Sequence, residues 1–426
     1  MSMKSIVNSM VGSGLVAIPY AFKSLGLVMS VVSLIFVTLM SSFTFYVVCI
    51  LADHASSFVK LARITKNWLG IIVDAAVLSQ SFGVCISYLI LIGDSVPPLL
   101  GIIGLNVTRR IVIVTAMFVL LPMSLLRNLK SLAFASGIAI VSIVYILSVI
   151  VFFFIVYLNS DMPSTEIDLV VFNLESLKGL PIIVFGLACH QNIFKIYSEM
   201  KDKTLEKISV SGLIAFVFSA SVYFIVGVCS YLVLGRKVSG DLFSSFEKHF
   251  PALLKIDPHL ISLFLARLFL ALLVLTAYPM QSHPARDCIR NIRKRFSSIE
   301  PEEEPLLDTR LPQAPKENFS STDLSCASIE KSTDSLCVPD STLVHTVSTL
   351  IFCLGTMFVA LIVEDFGKMI SIVGALAATP VVFIFGPLFY LLLESDGWKR
   401  KVSLVIIPSA CLFAIVVLWS ELFFFQ

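Results

Sequence analysis

Charge is what this chain has least of. Lys, Arg, Asp and Glu make up 14% of its 426 residues, where a soluble globular domain carries about 25%. Hydrophobic residues make up 57%, and the mean hydropathy is +0.94. These values exclude an ordinary water-soluble fold. The charge is also unevenly spread: residues 286–340 hold 19 of the 60 charged side chains, which marks one hydrophilic insert in an otherwise apolar polytopic membrane chain. A disulfide framework is absent as well. The nine cysteines lie in apolar segments, at a helix end (Cys288) or in the insert (Cys326, Cys337), and none lies in a loop assigned below to the outer side. No HExxH, no GxSxG and no paired His/Asp cluster at helix spacing occurs, so nothing points to an enzyme. No regular polar stripe or repeated filter loop points to a channel. The first apolar run lacks an A-x-A-like end, so no cleavable signal peptide is expected.

What is present is a series of long apolar runs. A spanning helix needs about 20 mostly apolar residues. On that basis eleven spans are expected, near 5–22, 26–52, 69–95, 109–126, 131–158, 179–199, 208–234, 260–285, 343–363, 367–393 and 402–424. The chain then divides into spans one to eight (1–289), the insert (290–342) and spans nine to eleven (343–426). With the N-terminus in the cytoplasm, 21 Lys and Arg fall on the inner side and nine on the outer. Excess basic charge inside supports that orientation, although the outer pair Arg109–Arg110 runs against it. The sequon Asn106-Val107-Thr108 falls in an outer loop, as glycosylation requires. A second, at Asn318, falls in the insert. The insert opens with Arg290, Arg293, Lys294 and Arg295 and continues through acidic and then Ser/Thr-rich stretches. It has too little apolar surface to offset ordering, so disorder is expected. Glu302, Leu306 and Leu307 form an acidic dileucine pattern of the kind a sorting adaptor reads.

The first span holds an anomaly, NSMVGSGLVAIPYAF (8–22). Gly12, Ser13 and Gly14 are poor helix formers placed at its midpoint, and they split it into arms about 10–12 Å long. Close helix packing is one explanation. The sixth span supplies another, because it reads PIIVFGLACHQN (181–192), with polar groups at membrane depth. Two interrupted helices five spans apart are the trace of an inverted 5+5 repeat. Unwound backbone at that depth is tolerated where it is buried in protein or lines a cavity. Freed N–H groups suit a carboxylate, and freed carbonyls suit an ammonium or a cation.

Together, GSGLVAIPYAF (12–22), FGLACHQNIFKIYSEM (185–200) and YPMQSHPARDCI (278–289) resemble the amino acid/auxin permease family. The nearest branches are its sodium-coupled neutral amino acid transporters and vacuolar amino acid transporters. The resemblance covers nearly the whole chain. It implies an all-α integral membrane protein of the LeuT-like fold, with broken helices one and six, that carries neutral amino acids by alternating access. It implies no cofactor and no nucleic acid partner, only an amino acid, the bilayer and a coupling Na+ or H+. Carried over by position, the substrate carboxylate faces Gly12, Ser13 and Gly14, and its amino group faces Ala188 and Cys189. Asn8 and the eighth span contribute to any cation site. The family's N-terminal tail is nearly absent, and the insert is longer than expected.

The remaining candidates for the coupling ion or proton each carry two readings. His190 is a proton carrier or a neutral packing residue. Asp94, near the outer end of the third span, is a coupling carboxylate or a helix-end charge. Arg267, about 10 Å into the eighth span, pairs with a carboxylate such as Asp94, lines the outer pathway, or snorkels. Asp74 is expected at the inner interface. Thr276 is offset by one residue from where the sodium-coupled members place a threonine, which tilts the coupling toward protons. The rival to transport is a membrane amino acid sensor of the same fold that signals through the insert. Residence in a vacuolar or lysosomal membrane and residence in the plasma membrane both remain open.

Overall fold

A computed structural model describes residues 2–52, 54–102, 104–126, 133–160, 165–200, 204–250, 261–296, 342–394 and 397–423. The dileucine pattern at Glu302, Leu306 and Leu307, the second sequon and most of the insert lie outside the described residues. Among the described residues, every regular element is helical. That is what hydrocarbon demands of a chain with no closed barrel, since a helix satisfies its backbone polar groups internally.

The first expected span is two helices, α1 (Ser2–Met10) and α2 (Gly14–Leu25). α3 (Leu27–Leu51) follows directly. The hinge between them, Gly26, has φ of +82°, and the backbone of Asp168 and Leu169 lies 2.9 Å from where a Cβ would stand. Only glycine meets both conditions without strain. A short helix, α4 (Phe58–Thr65), starts where the Ser57 hydroxyl accepts from Lys60 N. Then come α5 (Leu69–Ile102), α6 (Arg109–Leu125) and α7 (Ala133–Leu158). The second half opens with α8 (Gly179–Gly186), a break, a 3-10 turn at His190–Asn192 and α9 (Ile193–Glu199). α10 (Leu205–Leu234) follows, then the short α11 (Leu242–His249), capped by Asp241, which accepts from Ser244 N. Next are α12 (Ile261–Phe296) and α13 (Thr342–Ile362). The tenth span runs from α14 (Phe366–Val373) through π-helical turns at Gly374–Ala378 and Pro380–Phe385 into α15 (Gly386–Leu393). α16 (Trp398–Phe423) ends the described chain.

The two halves match element by element. Each begins with a broken helix. Each places a short capped helix, α4 or α11, between its second and third spans. In each the third span is the longest: α5 has 34 residues and α12 has 36, about 51 and 54 Å, well beyond a 30 Å hydrocarbon core. α5 and α12 pack along each other through the middle of the molecule, while α1, α2, α3, α8 and α10 form a second group. This is the LeuT-like arrangement.

Among the described residues, nine helical segments are long and apolar enough to cross a membrane. The other two of the eleven expected spans correspond to the α1–α2 pair, 9 and 12 residues long, and to α6, with 17. Two boundaries move. The third span continues through Pro97 and Pro98 to Ile102. The eighth continues to Phe296, so the insert expected from 290 begins inside a helix.

Candidate functional site

Both breaks follow from local chemistry. At the first, Gly12, Ser13 and Gly14 interrupt the ladder. Val11 N still reaches Val7 O, Gly12 N turns back to Met10 O at 3.0 Å, and Leu15 N reaches Gly12 O at 3.2 Å. At the second, Leu187 (φ −96°, ψ 6°) and Cys189 (φ −132°, ψ −1°) leave the helical region. Helix ends leave backbone groups without intrahelical partners, so each break presents a carbonyl end (α1, α8) beside the start of a new helix. The dipoles place partial negative charge at the first kind of end and partial positive charge at the second.

The structure brings the two breaks into contact. Between them stands Tyr223 of α10, fully buried, whose hydroxyl lies 2.9 Å from Met10 O and 2.8 Å from Gly186 O. Met10 and Gly186 are the last residues of α1 and α8, so one phenol holds the terminal carbonyls of both half-helices. The close approach depends on glycine. A Cβ on Gly14 would stand 2.8 Å from the Tyr223 hydroxyl and 2.9 Å from Gly186 Cα, and a Cβ on Gly12 would stand 2.5 Å from the Tyr88 hydroxyl of α5. Ser13 Oγ lies 3.1 Å from Ser87 Oγ, also of α5. Gly12, Ser13, Gly14, Ala188 and Cys189 are all buried, and the Cys189 thiol is free.

The polar residues after the second break each tie it to a different helix. His190 Nε2 lies 3.1 Å from Thr44 Oγ1 of α3, and the ring stands edge-on to Phe45 at 6.0 Å. Gln191 Nε2 donates to Gln281 Oε1 of α12 at 3.4 Å, and Asn192 Nδ2 donates to Ser9 Oγ of α1 at 2.6 Å. Asn8 Nδ2 meets Met280 Sδ of α12 at 3.0 Å, while its Oδ1 is buried with no hydrogen-bond partner among the described residues. The first and eighth spans therefore meet at Asn8. The Thr276 hydroxyl is already engaged with Leu272 O and Leu273 O of its own helix, at 3.0 and 2.9 Å.

Asp94 and Arg267 lie away from the two breaks, toward the end of α5 and the start of α12. The Asp94 carboxylate pairs with Arg109 at 2.8 Å. Arg267 touches Asp94 only at its backbone oxygen, 3.3 Å away, and otherwise reaches Asp241 (3.5 Å), Glu247 (3.3 Å) and the Ser244 hydroxyl (3.0 Å). It is buried rather than snorkelling, and it fastens α11 to α12. In the connections before α8 and after α10, Arg236 binds Asp168 through two nitrogens at 2.7 and 2.5 Å. That hydrogen bonding holds the Asp168 carboxyl below the ordinary carboxylate range. At the opposite end of α5 Asp74 is fully buried and accepts from Asn291 at 3.3 Å. Arg286 reaches Ser124 O, Thr349 and His283.

Sequence reasoning missed Tyr223, Tyr88 and Ser87. The available signal was a phenol at mid-span, because a buried tyrosine hydroxyl needs a partner.

Comparison with known proteins agrees with this fold. A sequence model of the family described as transmembrane amino acid transporter protein matches residues 1–424. Vacuolar amino acid transporter 5 of Saccharomyces cerevisiae is 28% identical over 419 residues, covering 92% of this chain and 88% of that protein. Sodium-coupled neutral amino acid transporter 7 of Xenopus laevis is 28% identical over 400 residues, covering 89% and 77%. Among solved structures, a nucleobase-cation-symport-1 family transporter, closed with bromovinylhydantoin bound, shares the fold. Its TM-score is 0.56 at 12% identity, covering 99% of this chain and 90% of that one.

Proposed function

The chain belongs to the transmembrane amino acid transporter family, and from that premise we propose that it is a secondary active transporter of neutral amino acids, resident in a vacuolar membrane with its N-terminus in the cytoplasm. The observation that carries this reading is the meeting of the two breaks at Tyr223, with Gly14 against Gly186. The substrate carboxylate lies against the first peptide groups of α2, at Gly12, Ser13 and Gly14, where N–H groups and the positive dipole end converge. The ammonium faces Ala188 and Cys189 at the carbonyl end of α8. Spans one, two, six and seven rock as a body against the rest, opening the site to each side in turn. The vacuolar relatives support the membrane assigned here.

The coupling ion, a proton or Na+, acts where the first and eighth spans meet. The unpartnered Asn8 Oδ1 supports that position. Thr276 offers only lone pairs there, since its proton is committed to its own helix, and Na+ needs several hard oxygens. His190, Asp94 and Arg267 are each held in contacts that build the fold.

The test is uptake of a panel of labelled amino acids into proteoliposomes, with pH and Na+ gradients imposed separately. Concentrative uptake of neutral amino acids under one of the two gradients is the expected result. Saturable binding with no net flux under either gradient would instead favour the sensor.

A further inference from the structure

Two apolar grooves flank α13, one at each end. The larger, about 670 Å³, includes Arg110, Ile111 and Ile362. The smaller, about 390 Å³, is walled by Leu78 of α5, Ile289 of α12, and Leu343, Val347 and Ile351 of α13, with Arg293 among its lining residues. The three α13 side chains recur every fourth residue on one face and are 71, 44 and 63% exposed. They mark an apolar track about 12 Å long. Ile289 and Arg293 share one face of α12 a turn apart, so the track ends under a guanidinium. Neighbouring arginines are differently engaged: Arg290 meets Asp287 at 3.8 Å and Arg295 donates to Asn67 O at 3.0 Å. Arg293 is exposed at the groove.

We propose that this groove binds an anionic glycerophospholipid, with one acyl chain along Leu343, Val347 and Ile351 and its phosphate against Arg293. The apolar track calls for hydrocarbon, and its cationic end calls for a negative head group. Arg290, Arg293, Lys294 and Arg295 place four cations within six residues at the end of α12. In the orientation proposed above, on which this inference rests, that end meets the cytoplasmic leaflet, where anionic lipids are concentrated. A zwitterionic lipid fills the track equally well but gains no net charge attraction at Arg293. The rival occupant is the acidic stretch just beyond the helix: Glu300, Glu302, Glu303 and Glu304.

The test equilibrates the purified full-length chain with vesicles of equal phosphatidylserine and phosphatidylcholine, then reads retained lipid by native mass spectrometry. Phosphatidylserine is expected to be retained about fivefold over phosphatidylcholine, the preference one surface arginine supplies. Arg293→Gln is expected to bring the two lipids to parity. Val347→Trp, which fills the track, should reduce retention of both. Arg110→Gln, at the other groove, should change nothing. Glycerophosphoserine, which has the head group but no chains, should not compete. Equal retention by the unmodified chain, a preference that survives Arg293→Gln, or competition by glycerophosphoserine would each overturn the proposal. So would a preference that emerges only after the four glutamates are changed to glutamine, because the occupant would then be the chain's own acidic segment. Lipid retention is read without transport, so its failure is distinct from failure of the transporter reading.

Discussion

Two side-chain changes carry the most information at the scale of single residues. Gly14→Val sets a branched side chain 2.8 Å from the Tyr223 hydroxyl and 2.9 Å from Gly186 Cα, and the second neighbour is backbone that cannot rotate away. Uptake should be abolished while the protein still reaches the membrane, measured as flux per molecule quantified on a blot. Full activity would reject the site. Tyr223→Phe keeps the ring and removes the hydroxyl, leaving the buried Gly186 O without that partner, while Met10 O keeps only Gly12 N. A buried polar group stripped of its partner costs roughly 1–3 kcal/mol, so the variant should melt earlier and transport more slowly, and Tyr223→Trp should not rescue it. The two residues differ in how legible they were. Gly12-Ser13-Gly14 stands out in the sequence because it sets three poor helix formers in a row at the middle of a span. Tyr223, within ASVYFIVG, reads as one more core aromatic. Its partners are carbonyls 213 and 37 residues away, and no local pattern encodes such a meeting.

Among whole elements, the unforeseen ones are short. α4 and α11 have eight residues each, too few to cross a bilayer, so a search for apolar runs passes over them. Their caps were nevertheless written in the sequence, as Ser57 three residues before Lys60 and Asp241 three before Ser244. The π-helical turns at 374–385 left a fainter trace. Pro380 cannot donate to the ladder, and Gly374 lets Pro181 O approach the place where a Cβ would stand. α11 matters for function because buried Arg267 links it to α12 through Asp241, Ser244 and Glu247. Arg267→Gln should free α11, so that Cys introduced at the buried Ser245 reacts with a membrane-impermeant thiol reagent added from the outer side. Arg267→Lys keeps the charge but loses the fork and should fall between. If the thiol stays protected in Arg267→Gln, the latch is not there. The loop of the Asp168–Arg236 pair behaves differently with pH. A carboxyl held below its ordinary value stabilises the fold above that value, about 4, and loses the contribution as pH falls past it. Protection of the amides across 165–171, corrected for the intrinsic pH dependence of exchange, should therefore be the same at pH 5 as at pH 7, lower at pH 3, and independent of pH in Arg236→Gln.

For the molecule as a whole, the question is which contacts travel together. The sequence foretold a 5+5 repeat from two interruptions, and the structure extends it to matched short helices and matched long third spans. If spans one, two, six and seven move as one body, Ser9 and Asn192 stay neighbours throughout the cycle, because both belong to it. Ser13 and Ser87 do not, since Ser87 sits on α5 in the other body. At 3.1 Å between hydroxyls, a cysteine pair at 13 and 87 is close enough to oxidise in this conformation. Oxidation should stop uptake, and reduction should restore it, which separates arrest from damage at the binding site. A short bifunctional thiol linker between cysteines at 9 and 192 should leave most of the flux intact. Arrest by the second link and tolerance of the first would put the moving boundary elsewhere. It would mean that α1 slides against the sixth span rather than with it, and the single rocking body would have to be abandoned even with the substrate site unchanged.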